Sequence, residues 1–234
     1  SVGPDDRVVP PAPAYAFFHE RLVERCALVF HAAQRAGIRR AVVYNSYFAT
    51  FDRLYPEKRL AETHPYIRCR VEQAERVIAE GAGGMDVMVL ELPYISGSMP
   101  NRTPIWKDVF IERFFRAPAI FFPRGGTTMI HVRGVGEAGV GALERGEHGR
   151  RYPIGDENHN YRAMLVWMQE GLGIGKPIVQ LPGWLCALGA AQIARSEAKQ
   201  GKQSGLDMKR LMLDIMNEEL YIPAHTVDEV AAEL

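Results

Sequence analysis

Between Arg39 and Gly97 the chain sets two apolar runs on either side of a helical pattern, and no other stretch limits the fold as tightly. The runs are AVVYNSY (Ala41 to Tyr47) and MDVMVLELPYISG (Met85 to Gly97), and THPYIRCRVEQAERVIAEG between them begins a helix at Pro65. Strand, long connection, helix and strand in that order lay two parallel strands side by side, with the helix on one face. Ile67, Val71, Ala74 and Ile78 repeat at helical spacing and turn one stripe toward the sheet. Tyr66 and Arg70 lie beside that stripe, near the sheet's edge. Being four residues apart, they stand one above the other on the helix.

The rest of the chain continues the alternation. Asp5 to Val9 reads as a short strand stopped by prolines 10, 11 and 13, and Ala14 to Ala36 as a helix closed by Gly37. A connection with Phe51-Asp52 and the charged PEKR follows the strand Arg40 to Tyr44. The helix Pro65 to Glu80 ends at Gly81-Ala82-Gly83-Gly84, and the strand Asp86 to Leu92 follows. SGSMPNRTP (Ser96 to Pro104) is rich in turn formers and marks a soft boundary, dividing the chain at 97/98. Beyond it the pattern predicts a helix at Ile105 to Arg116 and strands at Ala119 to Pro123 and Met129 to Arg133, joined by a Gly125-Gly126 turn. A helix at Glu137 to Arg145, a strand at Arg151 to Ile154, a helix at Asn160 to Gly171 and a strand at Pro177 to Leu181 come next. Helices at Trp184 to Lys199, Asp207 to Glu219 and Val227 to Leu234 complete the expectation. The fold class is α/β.

The totals narrow the function. The 234 residues carry 28 basic and 28 acidic side chains, so no net field draws the chain to nucleic acid or to an anionic membrane. The longest apolar stretch, Trp184 to Ala194, is interrupted by Gln192 and falls short of a bilayer span of ~20 residues. Cys26, Cys69 and Cys186 are odd in number and far apart, which fits reduced thiols and a cytoplasmic location. The seven histidines have no paired ligand spacing, so no metal site is expected; His31 and His64 read as surface or capping residues.

Two glycine motifs call for a decision. Gly134, Gly136 and Gly139 satisfy GxGxxG between a predicted strand and helix, and Asp156 lies about 20 residues on, where a ribose-binding acid belongs. Against that fingerprint, charged Arg133 precedes the first glycine, and only a short strand follows. Gly171 to Lys176 (GLGIGK) lacks the phosphate-loop spacing and reads as a helix cap and loop.

A resemblance organises these pieces. Tyr66-x-x-x-Arg70 early in a helix, with Glu72 after it, follows a strand ending in Ser46 and precedes one ending in Pro93-Tyr94-Ile95-Ser96-Gly97. This arrangement resembles the extended short-chain dehydrogenases, the NAD-dependent epimerase and dehydratase group, over nearly the whole chain. The likeness enters the family partway, so the family's first strand, glycine-rich phosphate turn and ribose-reading acid are missing from this chain. It implies a Rossmann-like doubly wound parallel sheet whose front strands are missing, with a smaller C-terminal α/β substrate lobe. Residues 1–97 would be the rear of the dinucleotide-binding domain. Residues 98–234 would be mainly the substrate lobe, with segments returning to the main sheet. In that register Arg7 to Val9 is the fourth strand, left as a bare edge unless a second chain completes the sheet. His131 to Ala138 matches a segment of the later lobe, with Gly134 where an aspartate usually stands.

The resemblance also implies chemistry. Tyr66 is the expected general acid/base and Arg70 stands where the family has lysine. Its guanidinium supplies positive charge to favour tyrosinate but stays protonated and relays no proton. The family's hydroxyl donor falls on Tyr47, with Ser46 one residue earlier and, while the strand lasts, facing the opposite way. Pro93, Tyr94, Ile95 and Ser96 would wall the nicotinamide, and Arg102, Trp106, Arg124 and His131 would line a substrate cleft. The expected cofactor is NAD or NADP. The substrate would be a small polar or nucleotide-sugar-like molecule, oxidised, reduced or epimerised at a hydroxyl or keto carbon. A homodimer through the helices Tyr15 to Ala36 and Pro65 to Glu80 is implied as well. The alternative is a catalytically degenerate member that binds a ligand or a protein partner.

Overall fold

The computed structural model of the chain describes residues 3–98, 100, 101, 103, 106, 107, 111 and 117–230. Helix α1 (Ala14–Phe18) passes through a π-helical stretch, His19–Glu24, into α2 (Arg25–Arg35), burying Phe18, Leu22, Cys26 and Phe30 at successive steps of four. Gly37, at φ +80°, turns the chain out of α2 while the N–H of Ile38 reaches the Ala33 carbonyl at 3.0 Å. Glycine adopts that left-handed conformation without penalty.

The central unit is the expected crossover. Strand β1 (Arg40–Ser46) pairs in parallel with β2 (Asp86–Leu92), from Arg40↔Asp86 to Ser46↔Leu92. The connection holds α3 (Tyr47–Leu54), the short α4 (Leu60–Thr63) and the crossover helix α5 (Pro65–Glu80). Strand β6 (Arg151–Pro153) returns from the later chain to pair with β2 in parallel. Alternate residues of β2 face opposite ways. Val87 and Val89 pack with Phe30, Ala74 and Val77 of α2 and α5, whereas Met88 and Leu90 pack with Ala138 and Ala142 of α6 (Val132–Arg145). Helices therefore cover both faces, and β2 reads as a continuous apolar run for that reason.

A second sheet sets β3 (Tyr94–Ser96) parallel and β7 (Glu157–Asn160) antiparallel to β5 (Gly126–His131). A third joins β4 (Ile120–Pro123) and β8 (Ile178–Leu181) in parallel. Helices α7 (Tyr161–Leu172), α8 (Gly183–Lys199) and α9 (Met208–Asp214) follow β7 and β8.

Several expectations need correction. Arg7 to Val9 form no strand: Asp5 accepts from the Arg7 N–H at 3.0 Å, which bends the segment into a turn, and the prolines after it remove ladder donors. The connection after β1, for which no element was expected, holds α3, capped by the Ser46 hydroxyl accepting from Phe48 N at 3.3 Å. Strands β4 and β5 are not hairpin partners. Gly125, between them, has the Met216 and Glu218 backbone too close for a Cβ, and Gly126, which opens β5, has the Tyr221 hydroxyl and the His159 carbonyl there. The helix expected from Asp207 to Glu219 ends at Asp214, and Val227 to Leu234 shows a 3-10 turn at Thr226–Glu229, with residues 231–234 outside the described ones. Arg102 and most of the expected helix Ile105 to Arg116 also lie outside the described residues. Strand β7 was missed; ENHN carries no apolar alternation to announce it.

The GxGxxG stretch is not a phosphate turn. Gly134, Gly136 and Gly139 all lie within α6. A Cβ on Gly139 would collide with the Tyr44 hydroxyl, and one on Gly141 with the Val230 carbonyl, so these glycines serve close packing of the helix.

Candidate active site

The carboxyl end of β1 and the first turns of α5 bring the central pair together. Arg70 donates to the single phenolic oxygen of Tyr66 through both Nε (2.9 Å) and Nη2 (2.7 Å). Its Nη1 donates to Gln73 Oε1 at 2.9 Å. Asn45, the penultimate residue of β1, donates through Nδ2 to the Arg70 carbonyl at 2.9 Å and to Gln73 Oε1 at 3.4 Å. Tyr66 is only 4% exposed, its ring edge-on to those of Phe18 and Phe48. Among the described residues the phenol makes no other hydrogen bond.

Two opposed effects act on that phenol. Burial pushes its pKa up and is the larger; the Arg70 charge and hydrogen bonds pull it down, and Asp6 adds to the rise. The net direction is up, so the free site holds a neutral phenol at pH 7. Asp6 itself is a carboxyl raised chiefly by burial and by Asp5, against the pull of Arg7 and Arg70. Its charge also bears on Tyr47 and Tyr94.

Tyr47 is the first residue of α3, and its phenol sits 3.1 Å from Thr127 Oγ1, a hydroxyl that itself donates to the Thr128 carbonyl. Tyr47 therefore donates to Thr127, tying α3 to the second sheet. Burial and Tyr94 push its pKa well up. Ser46 ends β1 and spends its hydroxyl on the α3 cap. Beyond β2, Pro93 is buried, Tyr94 packs edge-on to Tyr47 at 6.3 Å, Ile95 is exposed and Ser96 donates to the Ile130 carbonyl at 3.2 Å. Trp106 and His131 meet at Gly97: the Trp106 indole donates to the Gly97 carbonyl at 3.0 Å, and His131 lies against the Gly97 α-carbon. Arg124 is exposed between β4 and β5.

The sequence reading overlooked Asn45, Gln73, Asp6 and Thr127. Asn45 offered a signal, since it interrupts an apolar strand, and Gln73 stands one turn beyond Arg70 on the same helix. Asp6 and Thr127 approach from distant segments and gave none.

A cavity of about 420 Å³ lies elsewhere, between α4, the start of α5 and the end of α8. Several of its polar side chains are already engaged: Ser204 donates to Glu197 within the cavity, while Arg68 donates to Glu72 and Gln203 accepts from Ala14 N outside it. Among the described residues no three His, Cys, Asp or Glu side chains gather as metal ligands, and no helix is long and apolar enough to cross a membrane.

No protein-family model and no curated protein matches the chain. Solved structures do. The structure of gox2253 matches over 97% of this chain and 73% of its own, at TM-score 0.66 and 19% identity. UDP-glucose 4-epimerase from Thermotoga maritima, solved with UDP-glucose, matches over 72% of this chain at TM-score 0.56 and 14% identity. A short-chain dehydrogenase/reductase superfamily protein from Agrobacterium tumefaciens with bound NAD matches over 73% of this chain at TM-score 0.54 and 18% identity. The chain spans 58% of the epimerase and 64% of the Agrobacterium protein, less than two thirds of either. The chain, with its parallel strands covered on both faces, thus shares its fold with a UDP-glucose 4-epimerase and a short-chain dehydrogenase/reductase superfamily protein.

Proposed function

We propose that this chain is the rear of an NAD(P)-dependent oxidoreductase or epimerase/dehydratase, residues 1–97 belonging to the dinucleotide domain and 98–234 mainly to a substrate lobe. The substrate is a small polar or nucleotide-sugar-like molecule that reacts at a hydroxyl or keto carbon. One observation carries the reading: both N–H groups of the Arg70 fork converge on the Tyr66 oxygen, beside the carboxyl end of a parallel strand. Ligands of open α/β sheets bind at that end.

The donor set fits the nicotinamide-ribose end of a dinucleotide. Arg70 offers a guanidinium, Tyr66 a phenol, and Ile95 an exposed apolar side chain after β2. The glycines that spell a fingerprint are inside α6 and offer no turn to the pyrophosphate end. When bound, the nicotinamide takes or gives the hydride. As the neutral phenol Tyr66 gives its proton to the carbonyl oxygen, and only after losing that proton, as the tyrosinate that Arg70 stabilises without losing its own, does it take one from the substrate hydroxyl. A phenoxide accepts more hydrogen bonds than a phenol donates, and two charged donors already face this oxygen. Tyr47 or Ser46 is the candidate donor to the substrate oxygen; Tyr47 must first leave Thr127, whereas Ser46 accepts from Phe48 N and keeps its own O–H to give.

A second reading has an observation of its own. Burial outweighs Arg70 at Tyr66, and Thr127 occupies the Tyr47 hydroxyl, as expected of a degenerate member that binds ligand without turnover. Assay of the chain with NAD(P) and a panel of nucleotide sugars separates the two. Turnover that falls at least about a hundredfold in Tyr66→Phe supports catalysis. Turnover unchanged in that variant removes Tyr66 from the mechanism, and dinucleotide binding without turnover selects the second reading.

A further inference from the structure

We infer that Gln73, itself held by Asn45, is the positioning residue that aims the Arg70 guanidinium at the Tyr66 oxygen. The inference rests on the reading of Tyr66 as the acid/base. An arginine four residues after a tyrosine has a long, freely rotating stem, and its planar head has many ways to meet solvent. Here three of its donors are fixed. Two converge on Tyr66 Oη, and the third, Nη1, is anchored 2.9 Å from Gln73 Oε1.

Gln73 is 2% exposed and Asn45 5%, so neither amide is a casual surface contact. The Gln73 carbonyl oxygen accepts from Arg70 on one side and from Asn45 Nδ2, at 3.4 Å, on the other. Asn45 also donates to the Arg70 main-chain carbonyl at 2.9 Å, and its own Oδ1 accepts from Ser46 N at 2.6 Å. The guanidinium is thus referenced to the carboxyl end of β1, the frame that also places Ser46 and Tyr47. A planar fork delivers two bonds to one oxygen only at a fixed roll about its stem, and Gln73 sets that roll. Lysine would need no such device, because an ammonium presents its donors at any rotation.

The test is exchange of the Arg70 Nε–H with solvent at neutral pH, followed by NMR of the full chain, the signal being assigned by its loss in Arg70→Lys. Gln73→Leu removes the acceptor at similar volume. It is expected to speed exchange about tenfold or more, the factor that corresponds to losing a hydrogen bond to a charged group. Gln73→Glu keeps an acceptor at the same place and is expected to restore slow exchange, a rescue that a merely space-filling role does not produce. If Gln73→Leu does not fold, Asn45→Ala, which frees the Gln73 amide, is expected to speed exchange in the same sense. Exchange unchanged in the folded variant overturns the inference. NADH binding by the unsubstituted chain, measured alongside, reports separately on the functional reading: its absence sinks that reading whatever Arg70 does.

Discussion

Arg53 closes a two-pronged ion pair on Glu91, Nη1 to Oε1 at 2.7 Å and Nη2 to Oε2 at 2.5 Å, although Glu91 has no exposed surface. Thr50 donates to the same carboxylate at 2.5 Å, so α3 is pinned to the middle of the sheet one turn after Tyr47. The partners differ in their escape routes. The Arg53 side chain is 38% exposed and swings to water when Glu91 is neutralised, whereas Glu91 cannot leave β2. Arg53→Met is therefore expected to destabilise by about 3 kcal/mol, and Glu91→Gln by about 1 to 2. Urea unfolding of both variants checks the order; equal costs would contradict the asymmetry.

His64 is fully buried at the start of α5, where its Nδ1 accepts from Asp207 N at 2.9 Å. Burial lowers its pKa to about 4, from an ordinary imidazole value of 6.5. The folded state thus refuses a proton that the unfolded state accepts. Its contribution is complete above pH 6.5, is lost as pH falls toward 4 and changes no further below that. At pH 5 the loss is expected to be about 2 kcal/mol relative to pH 7. Comparing the pH dependence of unfolding in the natural chain and in His64→Gln isolates this share, and curves of identical shape would contradict it.

The glycines of α6 separate a packing role from a phosphate-binding one. Nothing lies within 4 Å of a Cβ on Gly136, whereas one on Gly141 collides with the Val230 backbone. Gly136→Ala is expected to stabilise by about 0.5 to 1 kcal/mol, the helix preference of alanine over glycine. Gly141→Ala is expected to destabilise by about 1 to 3 kcal/mol through overpacking. Thermal melting reads both. A loss of dinucleotide binding in Gly136→Ala would restore the fingerprint that the helix excludes.

Tyr66 and Arg70 supply a stability test as well. Tyr66→Phe deletes the acceptor of two Arg70 donors in a site 4% exposed. The guanidinium, still anchored to Gln73, is left facing an apolar ring, and the expected cost is about 1 to 3 kcal/mol. Denaturant unfolding checks it; an unchanged midpoint would mean that the fork is not formed in solution.

The crossover was legible because β1, α5 and β2 are long and strictly patterned, and the spacing of Tyr66 and Arg70 on α5 placed them in contact. Asp5 to Val9 misled because Val8 and Val9 carry strand preference while Asp5 and the prolines decide the backbone. The GxGxxG stretch misled for a different reason: glycine at a helix surface that must approach Tyr44 or Val230 closely looks, in sequence, like glycine in a phosphate turn. Asn45 was not legible as a partner of Arg70 and Gln73, because its meeting with them depends on the register of β1 against α5, which no local pattern encodes; Gln73, three residues beyond Arg70 on the same helix, was within reach of the spacing. Tyr47 was placed at the right strand end, but its bond to Thr127 depends on a sheet built from residues eighty positions away.

The central claim is that the Arg70–Tyr66 pair belongs to a dinucleotide site. Titration of the full chain with NADH and with NADPH, followed by tryptophan fluorescence, tests it most directly. Saturable binding of at least one, weakened about tenfold in Arg70→Met by loss of a charged contact, is the predicted result. No saturation by either cofactor, or binding untouched by Arg70→Met, would contradict it.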